Sequence, residues 1–253
     1  MNLSAVDYLS AIRQEAAAIS AAASLGLTTP ILRYPGWTTL DLIAHTGGVH
    51  RWVTALVRDR SQERIPRHAY AQEIPPDRAI GWFETGVGEL MATLEGVDPE
   101  TAMWSLSDDR TAAFWHRRMA HETALHRWDA QLANGVPLPI DPDLAVSALG
   151  ESLDIYVTRR LDGQDISGSG ETVLLRCADR PAGWRIALEP SAVQVDPLAN
   201  AVDTADADIS GGASDLWLFV MGRLPISTLE ATGGRSAIRL LVHVLSLMTD
   251  ALP

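Results

Sequence analysis

Asp41-Leu42-Ile43-Ala44-His45-Thr46-Gly47-Gly48-Val49-His50-Arg51-Trp52 and His121-Glu122-Thr123-Ala124-Leu125-His126-Arg127-Trp128-Asp129 decide how this chain is read. Both stretches have helical patterning, and both turn imidazole or carboxylate groups toward an apolar stripe. Burying such groups is costly unless something compensates them. A divalent metal compensates three at once, and imidazole plus carboxylate is a common zinc ligand set.

Helical residues advance about 100° each, so Glu122 and His126 share a face one turn apart. His121 and His126 diverge by roughly 140° and cannot hold one ion together. That spacing also separates the segment from the H-E-x-x-H protease motif, whose histidines are four apart. On the earlier helix, Leu40, Ile43, Gly47, His50 and Val57 form one inward stripe, and His45 lies on another face. The expected ligands are therefore His50, Glu122 and His126, with one coordination position left open as in catalytic zinc sites. The plainer alternatives are a buried histidine bonded to a carbonyl, and a Glu–His pair that merely supports its helix.

Working outward, the two segments fall in a run of long helices. Val6–Ala23 is periodic, and Thr38 with Asp41 forms a capping box that opens a helix to about Arg58. Pro75-Pro76 precedes a helix over about Asp77–Leu94, closed by Gly96. Another spans about Ala112–Ala133, stopped by Asn134-Gly135. Four such helices predict an antiparallel bundle, a usual frame for a metal site. A fifth, about Pro142–Leu161, leads to the Gly-rich stretch Asp162–Gly170, read as a flexible linker or loop. Thr172–Cys177, Trp184–Glu189, Ala192–Val195 and Ala207–Ile209 then read as short strands. Ser214 is expected to cap a helix to Met221, and Ser236 one over Ala237–Thr249. The expected architecture is a helical bundle over residues 1–162 and a smaller α+β domain over 163–253.

Composition narrows the function. The chain has 253 residues, 47% hydrophobic and 21% charged, enough for a sizeable core. Its net charge of −12 argues against nucleic-acid binding and against docking on an anionic membrane. No apolar run is long enough to span a bilayer, and the amphipathic start, carrying Asp7 and Glu15, makes a poor signal peptide. The cytoplasm is the expected location. The one cysteine, Cys177, excludes an intrachain disulfide and a Cys-rich zinc site, so any thiol chemistry needs its sulfur from a cosubstrate.

The two opening segments resemble the mycothiol-dependent maleylpyruvate isomerase family. Ala207-Asp208-Ile209-Ser210-Gly211-Gly212-Ala213-Ser214-Asp215-Leu216-Trp217-Leu218, continuing to Gly222-Arg223, resembles that family's smaller C-terminal domain. The resemblance implies a DinB-like four-helix domain with zinc on His50, Glu122 and His126, and mycothiol as thiol cosubstrate. It implies that Asp129 lies near substrate or thiol and that an arginine of the second domain completes the cleft. Arg223 is the expected residue, with Arg239 and Arg235 as alternatives. The implied reaction is addition of a zinc-activated thiolate to a small electrophile, giving cis–trans isomerisation. A mycothiol S-transferase of detoxification or natural-product biosynthesis shares the same first half. A non-catalytic metal-binding or regulatory protein is the alternative from another class.

Other conspicuous residues read as structural. Trp52 and Trp128 are expected to fill the bundle core, Cys177 to be an inert strand thiol, Gly211-Gly212 to be a turn, and His243 to be a core residue of the last helix. Asp129 could alternatively pair with Arg127 or Arg51.

Overall fold

The structure is a computed structural model that describes residues 3–159, 161, 163–198 and 203–249. The chain forms two compact units that divide between Ile140 and Asp141.

The first unit is the expected bundle. Helix α1 (Ala5–Ala23) begins at a capping box between Ser4 and Asp7, and α2 (Thr39–Arg58) at the Thr38–Asp41 box. Each cap satisfies N–H groups that the first turn leaves orphaned, worth about 1 kcal/mol. Helix α3 (Ala79–Glu95) ends at Gly96, and α4 (Ala112–Asn134) ends at Gly135. Helix α1 packs on α4 and α3, and α2 packs on α3 and α4. Ala16, Ile19 and Ala23 of α1 meet Ile43 of α2 and Phe83 of α3 in one apolar cluster. Trp52, Trp104 and Trp115 form another, with ring centroids 5.3–6.1 Å apart.

Two neighbouring glycines set how closely α2 can be approached. A Cβ on Gly47 would lie 2.3 Å from the Trp82 ring, and one on Gly48 would lie 2.9 Å from the Tyr70 carbonyl. Their missing side chains let α3 close on one side of α2 and the 3₁₀ turn Arg67–Tyr70 on the other.

Helix α4 buries an unusual number of polar groups, and these are compensated. His116 bridges helix ends, its ring nitrogens 2.9 Å from the Ala112 carbonyl and 3.0 Å from the Leu94 carbonyl. Arg127 donates to the Glu15 carboxylate, to Gln131 and to the carbonyls of Leu138 and Pro139, tying down the chain that leaves the helix. His121 packs edge-on against Tyr8, 5.9 Å between centroids.

The second unit holds a five-stranded sheet of order β3-β2-β1-β4-β5. Its strands are β1 (Glu171–Cys177), β2 (Gly183–Leu188), β3 (Val193–Pro197), β4 (Ala207–Gly211) and β5 (Glu230–Gly233). Only the β1–β4 pair is parallel. Helix α5 (Pro142–Ser152) runs on into a wider π-helical stretch, Leu153–Arg159. Helix α6 (Ala213–Val220) packs on α5, β1 and β4, and α7 (Arg235–Thr249) on β1 and β4.

Several expectations change here. The domain boundary moves from 162/163, where Asp162 lies outside the described residues, to 140/141. Helix α5 buries Leu144, Ala145, Ala148 and Leu149 in the second unit. Of the two readings of the Gly-rich stretch, loop and not flexible linker holds over residues 163–170: Gly163, Ile166 and Gly170 donate backbone bonds to Ser191, Pro190 and Leu188 of the β2–β3 hairpin region. Strand β5 is four exposed residues ending in glycine, without an apolar alternation to announce it. Gly212, not Ser214, is the N-cap of α6, and the Ala213 N–H donates to Asp179 Oδ1 at 2.9 Å. Ser236 lies inside α7, and His243 is exposed.

Candidate metal centre

The centre lies where α2 faces the middle of α4. His45 Nε2 is 3.5 Å from Glu122 Oε1, and His126 Nε2 is 3.2 Å from the same oxygen. One donor atom from each of the three residues falls within 4.8 Å of the other two, the only such metal-capable trio among the described residues. The rings of His45 and His126 meet at 80° with centroids 5.1 Å apart.

Behind this trio stand groups that hold it in place. His126 Nδ1 donates to Asp129 Oδ2 at 3.2 Å, which leaves Nε2 to face the centre. Arg118 Nη2 donates to Glu122 Oε2, one turn back on α4, and leaves Oε1 for the two imidazoles. Trp37 packs against His45 and Tyr34 lies beside His126, with centroids 5.1 and 6.2 Å away.

Charge follows geometry. Burial alone would raise the Glu122 carboxyl, but Arg118, His126 and His45 outweigh it and hold the group well below the usual carboxylate range. Burial lowers His45, keeping it neutral and able to coordinate, against a smaller opposing pull from Glu122. Burial would also lower His126, yet Asp129 and Glu122 reverse the sign and raise it. A proton or a cation between the two carboxylates is therefore strongly favoured.

Of the residues expected from the sequence, Glu122 and His126 come together and His50 does not join them. Thr123 Oγ1 donates to the Met119 carbonyl at 2.7 Å, so His50 Nε2 donates to that hydroxyl at 3.0 Å. The His50 ring stacks on Phe83, 5.6 Å between centroids, and burial pushes it down to about 3. It is a neutral core residue with its Nδ1 buried and unpartnered. The third position belongs to His45, which the stripe on α2 had set aside. Asp129 turns its carboxylate to His126, and the two arginines considered for it are engaged elsewhere. Arg51 caps the Gly47 and Trp82 carbonyls and lies 3.7 Å over the Trp82 ring. Arg223 belongs to the second unit, where its Nη1 donates to the Met221 carbonyl at 2.8 Å. Cys177 is half-buried, and burial raises its thiol to about 11, as suits an inert side chain.

A cavity of about 460 Å³ opens on His45. Trp37, Asp41 and Val49 line one wall, and Arg67, His68 and Gln72 the other. That volume lies in the range of small-molecule sites, roughly 300–1,000 Å³. Nothing in the periodicity of α2 could have found His45, because it lies on a different face from the stripe that holds His50.

Comparison with known proteins bears on the fold and on the N-terminal domain. Residues 9–131 match the family described as mycothiol maleylpyruvate isomerase N-terminal domain, a stretch containing His45, Glu122, His126 and Asp129. The crystal structure of a mycothiol-dependent maleylpyruvate isomerase superposes with a TM-score of 0.61 at 16% identity, covering 91% of this chain and 93% of that one. A histidine-to-alanine mutant of a mycothiol-dependent maleylpyruvate isomerase gives 0.60 at the same identity and coverage. At that identity the likeness establishes the fold, helical N-terminal domain and smaller α+β C-terminal domain alike. No curated protein matches the chain. The helical N-terminal part of the chain, through residues 9–131, is thus a domain of the mycothiol maleylpyruvate isomerase N-terminal family.

Proposed function

We propose that this chain is a metal- and mycothiol-dependent enzyme that adds a thiolate to a small conjugated electrophile and so isomerises its double bond from cis to trans. The observation that carries the reading is the His45–Glu122–His126 trio, with donor atoms within 4.8 Å of one another and His45 lining a cavity. Two imidazoles and a carboxylate are a donor set of catalytic zinc sites, which leave a position open. The residues fit the ion in a second respect. A ligating histidine usually donates its other ring N–H to a carboxylate, as His126 does to Asp129.

Zinc bound there would supply the Lewis acidity that keeps a thiol deprotonated near neutral pH. The chain's own residues do the remaining work. Asp129 fixes the tautomer of His126, and Arg118 fixes the rotamer of Glu122. The cleft beside His45 takes the thiol and the electrophile together. Sulfur bonds to a carbon of the conjugated double bond while the π pair moves onto the carbonyl oxygen. Rotation about the resulting single bond, return of the pair and expulsion of the thiolate give the trans product. Retaining the sulfur and protonating the neighbouring carbon would instead make the chain an S-transferase. Small thiols are kept reduced in the cytoplasm, which is the proposed setting.

The test is metal analysis of the purified protein, then turnover with mycothiol and maleylpyruvate. One zinc per chain and isomerisation without net loss of thiol are expected. Stoichiometric loss of thiol would make it a transferase, and no turnover by zinc-loaded, mycothiol-supplied protein would overturn the enzymatic reading. Arg223→Ala is expected to weaken turnover with zinc content unchanged.

A further inference from the structure

From the cleft wall we infer a carboxylate-binding site in the first unit, with Arg67 as the residue that holds the anion. Arg67 lines the same cavity as His45 and is close enough for its charge to act on that imidazole. Among the described residues no carboxylate pairs with Arg67, whereas Arg118, Arg127, Arg176 and Arg180 each have an acidic partner. The one acid on the cavity lining, Asp41, is occupied, its Oδ2 accepting from Thr38 N at 2.8 Å and from Thr38 Oγ1 at 2.6 Å. The cleft thus presents an uncommitted guanidinium within a chain of net charge −12.

Gly48 explains how that cation is held there. The turn Arg67–Tyr70 settles against α2 because no Cβ at residue 48 stands in the way of the Tyr70 carbonyl. Gly48 lies three residues past His45, on the same side of the helix, so the turn and the imidazole border one space. His68 and Gln72 add hydrogen-bonding groups to the same wall. A guanidinium offers a planar fork of donors that matches a carboxylate bidentately. In an acidic protein a local cation is what lets an anionic substrate approach.

The inference deepens the proposed function by naming Arg67 as the residue that holds the electrophile's carboxylate, and it depends on that reading only for the chemistry after binding. Isothermal titration calorimetry with succinate, an unreactive dicarboxylate, tests it directly on the zinc-loaded full chain, with uncharged succinamide as control. Succinate should bind at least about tenfold more tightly than succinamide. Arg67→Gln should remove that preference with zinc content unchanged, and Arg67→Lys should keep part of it. Equal binding of the two ligands, or Arg67→Gln binding succinate like the wild type, would overturn the site. So would loss of the preference in Arg223→Ala and not in Arg67→Gln. If the preference tracks Arg67 while no thiol chemistry appears, the enzymatic reading fails and the anion site stands.

Discussion

His45 and His50 sit on one helix, five residues and about 140° apart, and the protein treats them in opposite ways. His45 borders a cleft and meets Glu122 and His126, whereas His50 is sealed between Phe83 and Thr123. The better buried histidine is the poorer ligand candidate. A metal that is to receive a substrate needs donors at the edge of the core, where one coordination position can reach solvent. A histidine in the middle of an apolar stripe is already enclosed, and its cheapest state is neutral with one hydrogen bond.

The contrast breaks most readily at the metal. His45→Ala should abolish stoichiometric zinc binding, and His50→Gln, which can still donate to Thr123, should leave it intact. Metal analysis after dialysis reads both, and the reverse pattern would return the site to His50. Next in size, Asp129→Asn weakens the acceptor behind His126 without altering the side chain's shape. Zinc affinity should fall about 10- to 100-fold, as for other outer partners of metal-bound histidine, in competition titration with a chelator.

The third test concerns acid stability. His50 has a folded value near 3 against an unfolded one of 6.5. Between those values the unfolded chain binds a proton that the folded one refuses. Its contribution is therefore complete above pH 6.5 and is lost as pH falls toward 3. His50→Phe should flatten this acid limb by up to about 1.4 kcal/mol per pH unit, measured as denaturant stability of zinc-free wild type and variant. Parallel limbs would show that His50 is not buried neutral. The smallest effect is expected at the cleft wall. Gly48→Ala should cost about 1 kcal/mol or somewhat more by crowding the Tyr70 carbonyl. It should also weaken the succinate preference while zinc stays bound. An unchanged preference would separate Arg67 from the turn that Gly48 admits.

The bundle and most strands were legible in the residues because their signals are local. Ser4–Asp7 and Thr38–Asp41 satisfy helix starts within three residues, and Gly96 and Gly135 mark helix ends. The Glu122–His126 pair was equally legible, since four residues on a helix fix a shared face. Strand β5 was not, because it exists through its pairing with β4. Nor was the unit boundary, because α5 has an apolar face that either unit could have buried, and only its packing on α6 assigns it.

Sequence by itself determined which side chains could bind a cation and that α2 offered two histidines on different faces. Only the tertiary structure decided between them. The rotation of α2 about its axis is set by what packs on it, Trp82 over Gly47 and the Tyr70 carbonyl over Gly48. Helical periodicity fixes the angle between two residues of one helix. It does not fix which of them faces a partner more than seventy residues away.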